Sequence, residues 1–92
     1  NGTIYIDNGA ANALSNGKSL LAAGITKING NFKKGENVII LDQNNNQLAR
    51  GLSSFSSTEI DKIKGKQSKE IETILGYLSK TEVIHKDDMV LL

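Results

Sequence analysis

The bulk properties of the 92-residue chain exclude several classes of protein. Its length allows one domain, near the small end of what folds alone. Eleven basic residues against ten acidic ones leave a net charge of +1, whereas a domain built mainly to bind phosphates is usually more basic. Because there is no cysteine, a disulfide framework, a thiolate metal site and a cysteine nucleophile are excluded.

The sequence gives no sign of a membrane segment. Its longest apolar run, 38–41, is far too short to span a bilayer, and we expect no signal peptide. We therefore expect no membrane partner and a cytoplasmic location. The chain lacks an initiator methionine and runs directly into a strand-like segment, so we expect residues 1–92 to be a single domain excised from the end of a longer chain.

The beginning of the chain predicts a strand followed by a short helix. Alternating β-branched and aromatic residues predict a strand over 3–6. Asp7 or Asn8 can then cap a helix, and Asn16-Gly17 ends it, since glycine suits the left-handed residue after a helix end.

The middle of the chain predicts extended structure and a hairpin. The apolar stretch 19–28 is interrupted by Gly24, where we expect a close backbone approach. After a turn at 29–31, the run 38–41 predicts a buried strand, and 47–54 returns as its hairpin partner.

Two helix-start signals follow the hairpin. Ser56 and Glu59 have the spacing of a capping box, which opens a helix ending at Gly65. Ser68 is expected to cap a further helix, with Gly76 as its stop signal.

Two short strand-like runs, 82–85 and 89–92, complete a set of about six strands and two or three helices. The chain is too short for several helical crossovers between parallel strands. The fold class is therefore mostly β with short helices, arranged as a small barrel. The predicted core contains eight aliphatic residues: Ile4, Ile6, Leu20, Ile25, Val38, Ile40, Leu52 and Val90.

Gly17-Lys18-Ser19 resembles the tail of a phosphate-binding loop. That pattern requires glycine at position 12, where this chain has Asn12. It also requires a strand before the loop and a helix after it, so that backbone amides converge on the phosphates. Here a helix precedes and an extended segment follows, so we interpret the tripeptide as a helix-stop turn.

Asp42, Asn44 and Asn46 have the spacing that begins a calcium loop. The loop requires glycine next and a bidentate glutamate at its end, and this chain has Gln47 and Ser53 there. We interpret the segment as a hairpin turn, because Asn and Asp tolerate unusual backbone angles.

His85 is the only histidine. Without a second histidine or a cysteine it cannot build a transition-metal site. Asp87 and Asp88 follow it, so a catalytic base beside carboxylates is one interpretation. We favour a hydrogen-bonded residue at the end of a strand.

The basic residues leave two interpretations open. A solvated face is favoured for the lysines of the predicted helices, which are Lys62, Lys66 and Lys69. Five other basic residues can gather on one side of a barrel: Lys18, Lys27, Lys33, Lys34 and Arg50.

Two segments, 17–25 and 30–38, resemble the signature of the PUA domain, a pseudobarrel found in RNA-modifying enzymes. The resemblance rests on Gly-Lys-Ser-Leu-Leu-Ala-Ala-Gly-Ile and on Gly-x-Phe-x-x-Gly-Glu-x-Val. The remaining motifs, in order along the chain, resemble the C-terminal PUA domain of bacterial glutamate 5-kinases. Two mild departures are Ala22, where that family commonly has proline, and Lys86, where it often has arginine.

The resemblance implies a PUA-like pseudobarrel of about six strands at the C-terminal end of a kinase. The parent enzyme would transfer the γ-phosphoryl group of ATP to the side-chain carboxylate of L-glutamate, with Mg²⁺, in the first step of proline biosynthesis. Those groups belong to an N-terminal amino-acid-kinase domain, which residues 1–92 do not include. No catalytic, cofactor-binding or metal residue is therefore expected in this chain, and the parent is expected to be a homo-oligomer.

The resemblance also implies a candidate surface and two functions for it. In RNA-modifying relatives the first helix and the segment after it contact RNA, which corresponds here to Gly17, Lys18, Ser19, Gly24 and Ile25. Two cations that can converge beside this region complete the candidate surface: Lys27 and Arg50. We favour regulation of the kinase over RNA binding, because the charge is near neutral and stacking residues are few.

Overall fold

The computed structural model of the protein describes residues 2–77 and 80–92. Within them lie seven strands, three helices and two 3₁₀ turns, the turns at Ala22–Gly24 and Lys86–Asp88. The strands are β1 (Gly2–Ile6), β2 (Leu20–Leu21), β3 (Ile25–Asn29), β4 (Asn37–Leu41), β5 (Gln47–Leu52), β6 (Glu82–Ile84) and β7 (Met89–Leu91). The helices are α1 (Asn8–Ser15), α2 (Ser57–Ile63) and α3 (Ser68–Leu75).

The strands form a five-stranded sheet and a two-stranded ribbon. The sheet has the order β3-β1-β4-β5-β7, in which β1 and β4 are parallel and the other pairs are antiparallel. The ribbon pairs β2 with β6. The mostly β class with short helices is confirmed, with the strands divided between a sheet and a ribbon.

One side of the five-stranded sheet, called here the covered face, carries the core. Ile4, Ile6, Val38 and Ile40 point to this side and are at most 1% exposed. Ile25, at the start of β3, is also buried. Helices, ribbon and loops pack against the sheet with further buried apolar residues, among them Leu14, Leu20, Phe32, Phe55, Ile60, Ile63, Ile71, Val83 and Ile84. Each fully buried aliphatic side chain contributes about 1.5–3 kcal/mol by leaving water.

Leu52 and Val90, which were predicted to lie in the core, are instead 46% and 64% exposed. In β5 the inward positions belong to Ala49 and Gly51, because the chain crosses close behind them. A Cβ atom at Gly51 would lie 2.6 Å from the Asp88 carbonyl oxygen, so a large residue does not fit there. Leu52 and Val90 therefore lie on the opposite side of the sheet, called here the open sheet face.

The helix starts follow the sequence signals with one exception. Ser56 and Glu59 form the predicted capping box at α2, with the Glu59 N–H 3.2 Å from the Ser56 hydroxyl oxygen and the Ser56 N–H 2.8 Å from the Glu59 carboxylate. The prediction that Ser68 caps α3 is wrong by one residue. Gln67 is the cap, because its N–H donates to the Glu70 carboxylate at 2.9 Å.

The helices in the described part of the chain are all too short or too polar to cross a bilayer.

Candidate functional site

Asp7 joins helix α1 to the 3₁₀ turn at Ala22–Gly24. Its carboxylate accepts a hydrogen bond from the Ala10 N–H at 2.8 Å and so caps α1. Its own backbone N–H donates to the Gly24 carbonyl oxygen at 2.9 Å. A Cβ atom at Gly24 would lie 2.4 Å from the Ala10 Cβ atom. The predicted close approach at Gly24 is therefore confirmed.

A groove of about 300 Å³ lies between α1 and the segment that follows it. Most of its lining is small or apolar, and Asp7 and Lys18 supply one charge of each sign. The lining residues are Asp7, Gly9, Ala10, Ala13, Lys18, Ser19, Leu21, Ala23 and Gly24. Apolar walls with a few polar groups are typical of sites for small molecules or protein side chains. A polyanion requires several cations.

The backbone N–H groups of Gly17 and Lys18 form the hydrogen bonds that terminate α1. The Gly17 N–H donates to the Leu14 carbonyl oxygen, and the Lys18 N–H donates to that of Ala13, each at 3.0 Å. Gly17 has φ of +77°, as the Schellman motif at a helix end requires. These N–H groups point back at the helix, so they cannot cradle a phosphate. The interpretation of Gly17-Lys18-Ser19 as a helix-stop turn is confirmed.

Ser19 connects the groove to the turn that precedes β7. Its hydroxyl accepts a hydrogen bond from the Lys86 backbone N–H at 2.8 Å. In the same turn, His85 Nδ1 accepts from the Asp87 N–H at 3.1 Å and lies 3.5 Å from an Asp87 carboxylate oxygen. His85 therefore caps this turn, which confirms the hydrogen-bonded interpretation. Within residues 2–77 and 80–92, no three His, Cys, Asp or Glu side chains are grouped to hold a metal ion.

The structure divides the predicted candidate surface between different places. Lys18, Ser19 and Gly24 line the groove, and Gly17 ends the helix beside it. Ile25 is only 2% exposed, so the prediction that it contributes a surface side chain is wrong. Ile25 begins β3 with its side chain in the core.

Lys27 and Arg50 lie on the open sheet face rather than in the groove. The Lys27 Nζ atom is 4.8 Å from the centre of the Tyr5 ring, a cation–π contact. Arg50 is paired by register with Ile39 on one side and Val90 on the other. Lys27 and Arg50 are carried by β3 and β5, which are separated by three strand spacings, about 14 Å.

The carboxylate of Asp42 is occupied within the β4–β5 turn. It accepts hydrogen bonds from the N–H groups of Asn46 and Asn44 and from the Asn46 side chain, and these bonds hold its pKa below the ordinary value of 3.8. Asn45 has φ of +65°, which asparagine tolerates. The interpretation of this segment as a hairpin turn is confirmed.

Glu59 and Tyr77 form a second polar link, between the start of α2 and the end of α3. The Tyr77 hydroxyl donates a hydrogen bond to the Glu59 carboxylate. Burial opposes ionisation of Glu59, but the hydrogen bonds from Tyr77 and Ser56, together with the charge of Lys34, hold its pKa below the ordinary value. The same hydrogen bond, with desolvation, raises the pKa of Tyr77.

Sequence patterns did not place six of the groove-lining residues at this site: Asp7, Gly9, Ala10, Ala13, Leu21 and Ala23. Asp7 was recognised only as a helix cap, and Leu21 and Ala23 were included in a continuous extended segment. The signal for Leu21 is local: Leu20 is buried and Leu21 is 43% exposed, as alternation in a short strand requires.

The PUA domain family model matches residues 2–75. The chain belongs to the PUA domain family. It is 66% identical over 89 residues to the glutamate 5-kinase of Pelagibacter ubique, covering 97% of this chain, and 49% identical over 92 residues to that of Microcystis aeruginosa, covering 99%. The chain spans only 24% of the length of each of these two relatives.

Two solved structures superpose on nearly the whole of this chain. A PUA domain of Aeropyrum pernix K1, solved as a tartrate complex, superposes with a TM-score of 0.68 at 22% identity, covering 91% of this chain and 41% of that one. A chain of the archaeal box H/ACA sRNP Nop10-Cbf5 complex superposes with a TM-score of 0.65 at 26% identity, covering 90% of this chain and 24% of that one. Both support the PUA fold described above.

Proposed function

We propose that this chain is the C-terminal accessory domain of a glutamate 5-kinase and regulates the kinase domain of the same polypeptide. The observation that carries the proposal is identity at 66% and 49% to glutamate 5-kinases over nearly the whole chain. In the parent enzyme, the other domain transfers the γ-phosphoryl group of ATP to the side-chain carboxylate of L-glutamate, using Mg²⁺. This reaction begins proline biosynthesis in the cytoplasm, and the parent is a homo-oligomer.

The polar groups that could take part in chemistry are already hydrogen-bonded within the domain, which supports an accessory role. The amides of Gly17 and Lys18 are bonded to helix carbonyls, and His85 is bonded within its own turn. The Asp42 carboxylate is bonded within the hairpin turn. Groups held in this way stabilise turns and are not poised for proton or phosphoryl transfer. The domain therefore acts by contact with other molecules or domains.

RNA binding is the second candidate function, favoured by the structural likeness to a chain of an archaeal box H/ACA sRNP complex. The distribution of charge is less favourable to it. The groove lining contains one cation, Lys18, and one carboxylate, that of Asp7. Lys27 and Arg50 lie elsewhere, on the open sheet face. RNA binding draws on several cations acting together, so we place regulation first.

Removing residues 2–92 from the full-length enzyme tests the regulatory function. We expect the glutamate concentration for half-saturation to change by about fivefold or more, or the assembly to change, because coupling between domains typically amounts to 1–3 kcal/mol. Unchanged saturation and unchanged assembly would contradict the proposal.

Titration of the full-length enzyme with structured RNA tests the alternative. Binding that weakens steeply with salt and is lost in the Lys18→Ala variant would favour RNA over regulation. Lys62→Ala, at an exposed position on α2, is the matched control, because it removes one positive charge away from the groove.

A further inference from the structure

The open sheet face carries large apolar residues that nothing in the described residues covers. Leu52 is 46% exposed and Val90 is 64% exposed. The register places Arg50 beside Val90 and beside Ile39, which is half-buried on the same side. An exposed apolar patch with a charged residue at its centre is typical of an interaction surface.

The five strands of this sheet contain no acidic residue. Their sequences are GTIYI, ITKIN, NVIIL, QLARGL and MVL, so Lys27 and Arg50 are their only charged side chains. All ten acidic residues of the chain lie in helices, in turns or in the ribbon strand β6. The charge that these strands carry is therefore only positive.

This charge distribution decides between possible occupants. Two copies of the chain that met through the open sheet face would bring positive charges together with no carboxylate from the strands to pair with them. RNA would complement the charges, but the aliphatic side chains of Ile39, Leu52 and Val90 offer it no stacking surface. The one aromatic ring of these five strands, that of Tyr5, is already in contact with Lys27. A protein surface that is apolar with carboxylates at its rim complements both features.

We infer that the open sheet face docks against the kinase domain of the same polypeptide, on a surface with apolar residues and at least one carboxylate facing Arg50. This inference rests on the proposed function, because the relatives are about four times as long as this chain, which spans 24% of their length. Within one polypeptide the effective concentration of the two domains reaches the millimolar range. A small apolar patch is therefore enough to hold them together.

Thiol reactivity in the full-length enzyme tests the docking. Val90→Cys places a thiol on the open sheet face, and Ile74→Cys places one on α3, where the native residue is 36% exposed. Alkylation rates read by peptide mass spectrometry separate these thiols from any other cysteine. The exposures within this domain predict faster reaction at position 90. Docking predicts that the thiol at position 90 is alkylated at least about tenfold more slowly than the thiol at position 74.

Two further variants check the result at a second position and identify the surface that lies against the open sheet face. Leu52→Cys gives a separate measurement on the same face, and a photo-crosslinking residue in place of Val90 captures what lies against it. Cross-links to peptides outside residues 1–92 of the same chain support the proposal. Cross-links to a second copy of residues 1–92, or protection that disappears after nuclease treatment, overturn it.

Combined with deletion of the domain, these measurements separate docking from regulation. Protection at position 90, with unchanged glutamate saturation and assembly after deletion, would mean that docking holds and regulation fails. A changed saturation after deletion, with position 90 reacting faster than position 74, would overturn docking through this face and leave regulation standing.

Discussion

The two faces of the five-stranded sheet are built from the same strands but differ in burial. On the covered face, Ile4 and Ile40 are fully buried. On the open sheet face, Leu52 and Val90 remain in water although they are equally apolar in type. The difference teaches that apolar character alone does not assign a strand residue to the core. The space behind each position decides it.

The largest expected loss of stability follows a substitution on the covered face. Ile40→Ala should lower the free energy of unfolding of the 92-residue chain by about 2–5 kcal/mol, because the side chain is 0% exposed and its removal leaves a cavity. Urea denaturation measures the change. A loss below about 0.5 kcal/mol would show that Ile40 does not lie in a packed core.

The next effect tests why β5 turns its large residues outward. Gly51→Ala should lower the free energy of unfolding by about 1–3 kcal/mol, because its Cβ atom would lie 2.6 Å from a backbone oxygen, that of Asp88. Ala49→Gly is a useful comparison, since it removes a buried methyl group from the neighbouring inward position. If Gly51→Ala proves neutral, the turn at Asp88 does not pass as close to Gly51 as described.

A smaller effect concerns the polar link between the helices that pack on the covered side. The folded-state pKa of Glu59 is below its ordinary value of 4.5. The ionised carboxylate therefore stabilises the fold above pH 4.5, and this contribution is lost as the pH falls through the folded pKa. Thermal unfolding across this range should show a weaker pH dependence for Glu59→Gln than for the wild type. Tyr77→Phe should raise the pKa of Glu59, and Lys62→Gln is the control.

The smallest effect is expected on the open sheet face. Val90→Ala should change the free energy of unfolding of the 92-residue chain by less than about 0.5 kcal/mol, because the side chain is already 64% exposed. Urea denaturation of the Val90→Ala and Ile40→Ala variants, measured side by side, compares the two losses of stability directly. A loss above about 2 kcal/mol would place Val90 in the core and remove the distinction between the faces.

Much of the fold was predictable because its signals are local. The capping box at Ser56 and Glu59 and the cap at Asp7 satisfy helix N–H groups within three residues. The left-handed angles of Gly17 and Gly76 also follow from neighbouring residues alone. Such features depend on the adjacent backbone and need no knowledge of distant contacts.

The exposure of Leu52 and Val90 was not predictable, because it depends on contacts between segments far apart in sequence. Gly51 faces inward because the turn around Asp88 passes behind it. Val90 shares the side of Arg50 because β7 pairs with β5 in that register. A register shift by one residue exchanges the faces, and sequence pattern does not specify it here.

The residues of the candidate surface do not form one contiguous patch, for the same reason. The groove residues Lys18, Ser19 and Gly24 are close in sequence and were grouped correctly. Lys27 and Arg50 lie on separate strands, and sheet order alone decides which face they share and how far apart they lie. Their charge follows from residue type alone, whereas their position depends on the sheet.

The central claim is that the covered face folds the domain and the open sheet face acts on the kinase, and one substitution in the full-length enzyme tests it most directly. Val90→Asp should leave the unfolding temperature of the domain unchanged and shift the glutamate concentration for half-saturation by about fivefold or more. Ile74→Asp, at an exposed position on α3, is the matched control and should leave saturation unchanged. A Val90→Asp enzyme that is folded and saturates with glutamate like the wild type would contradict the account.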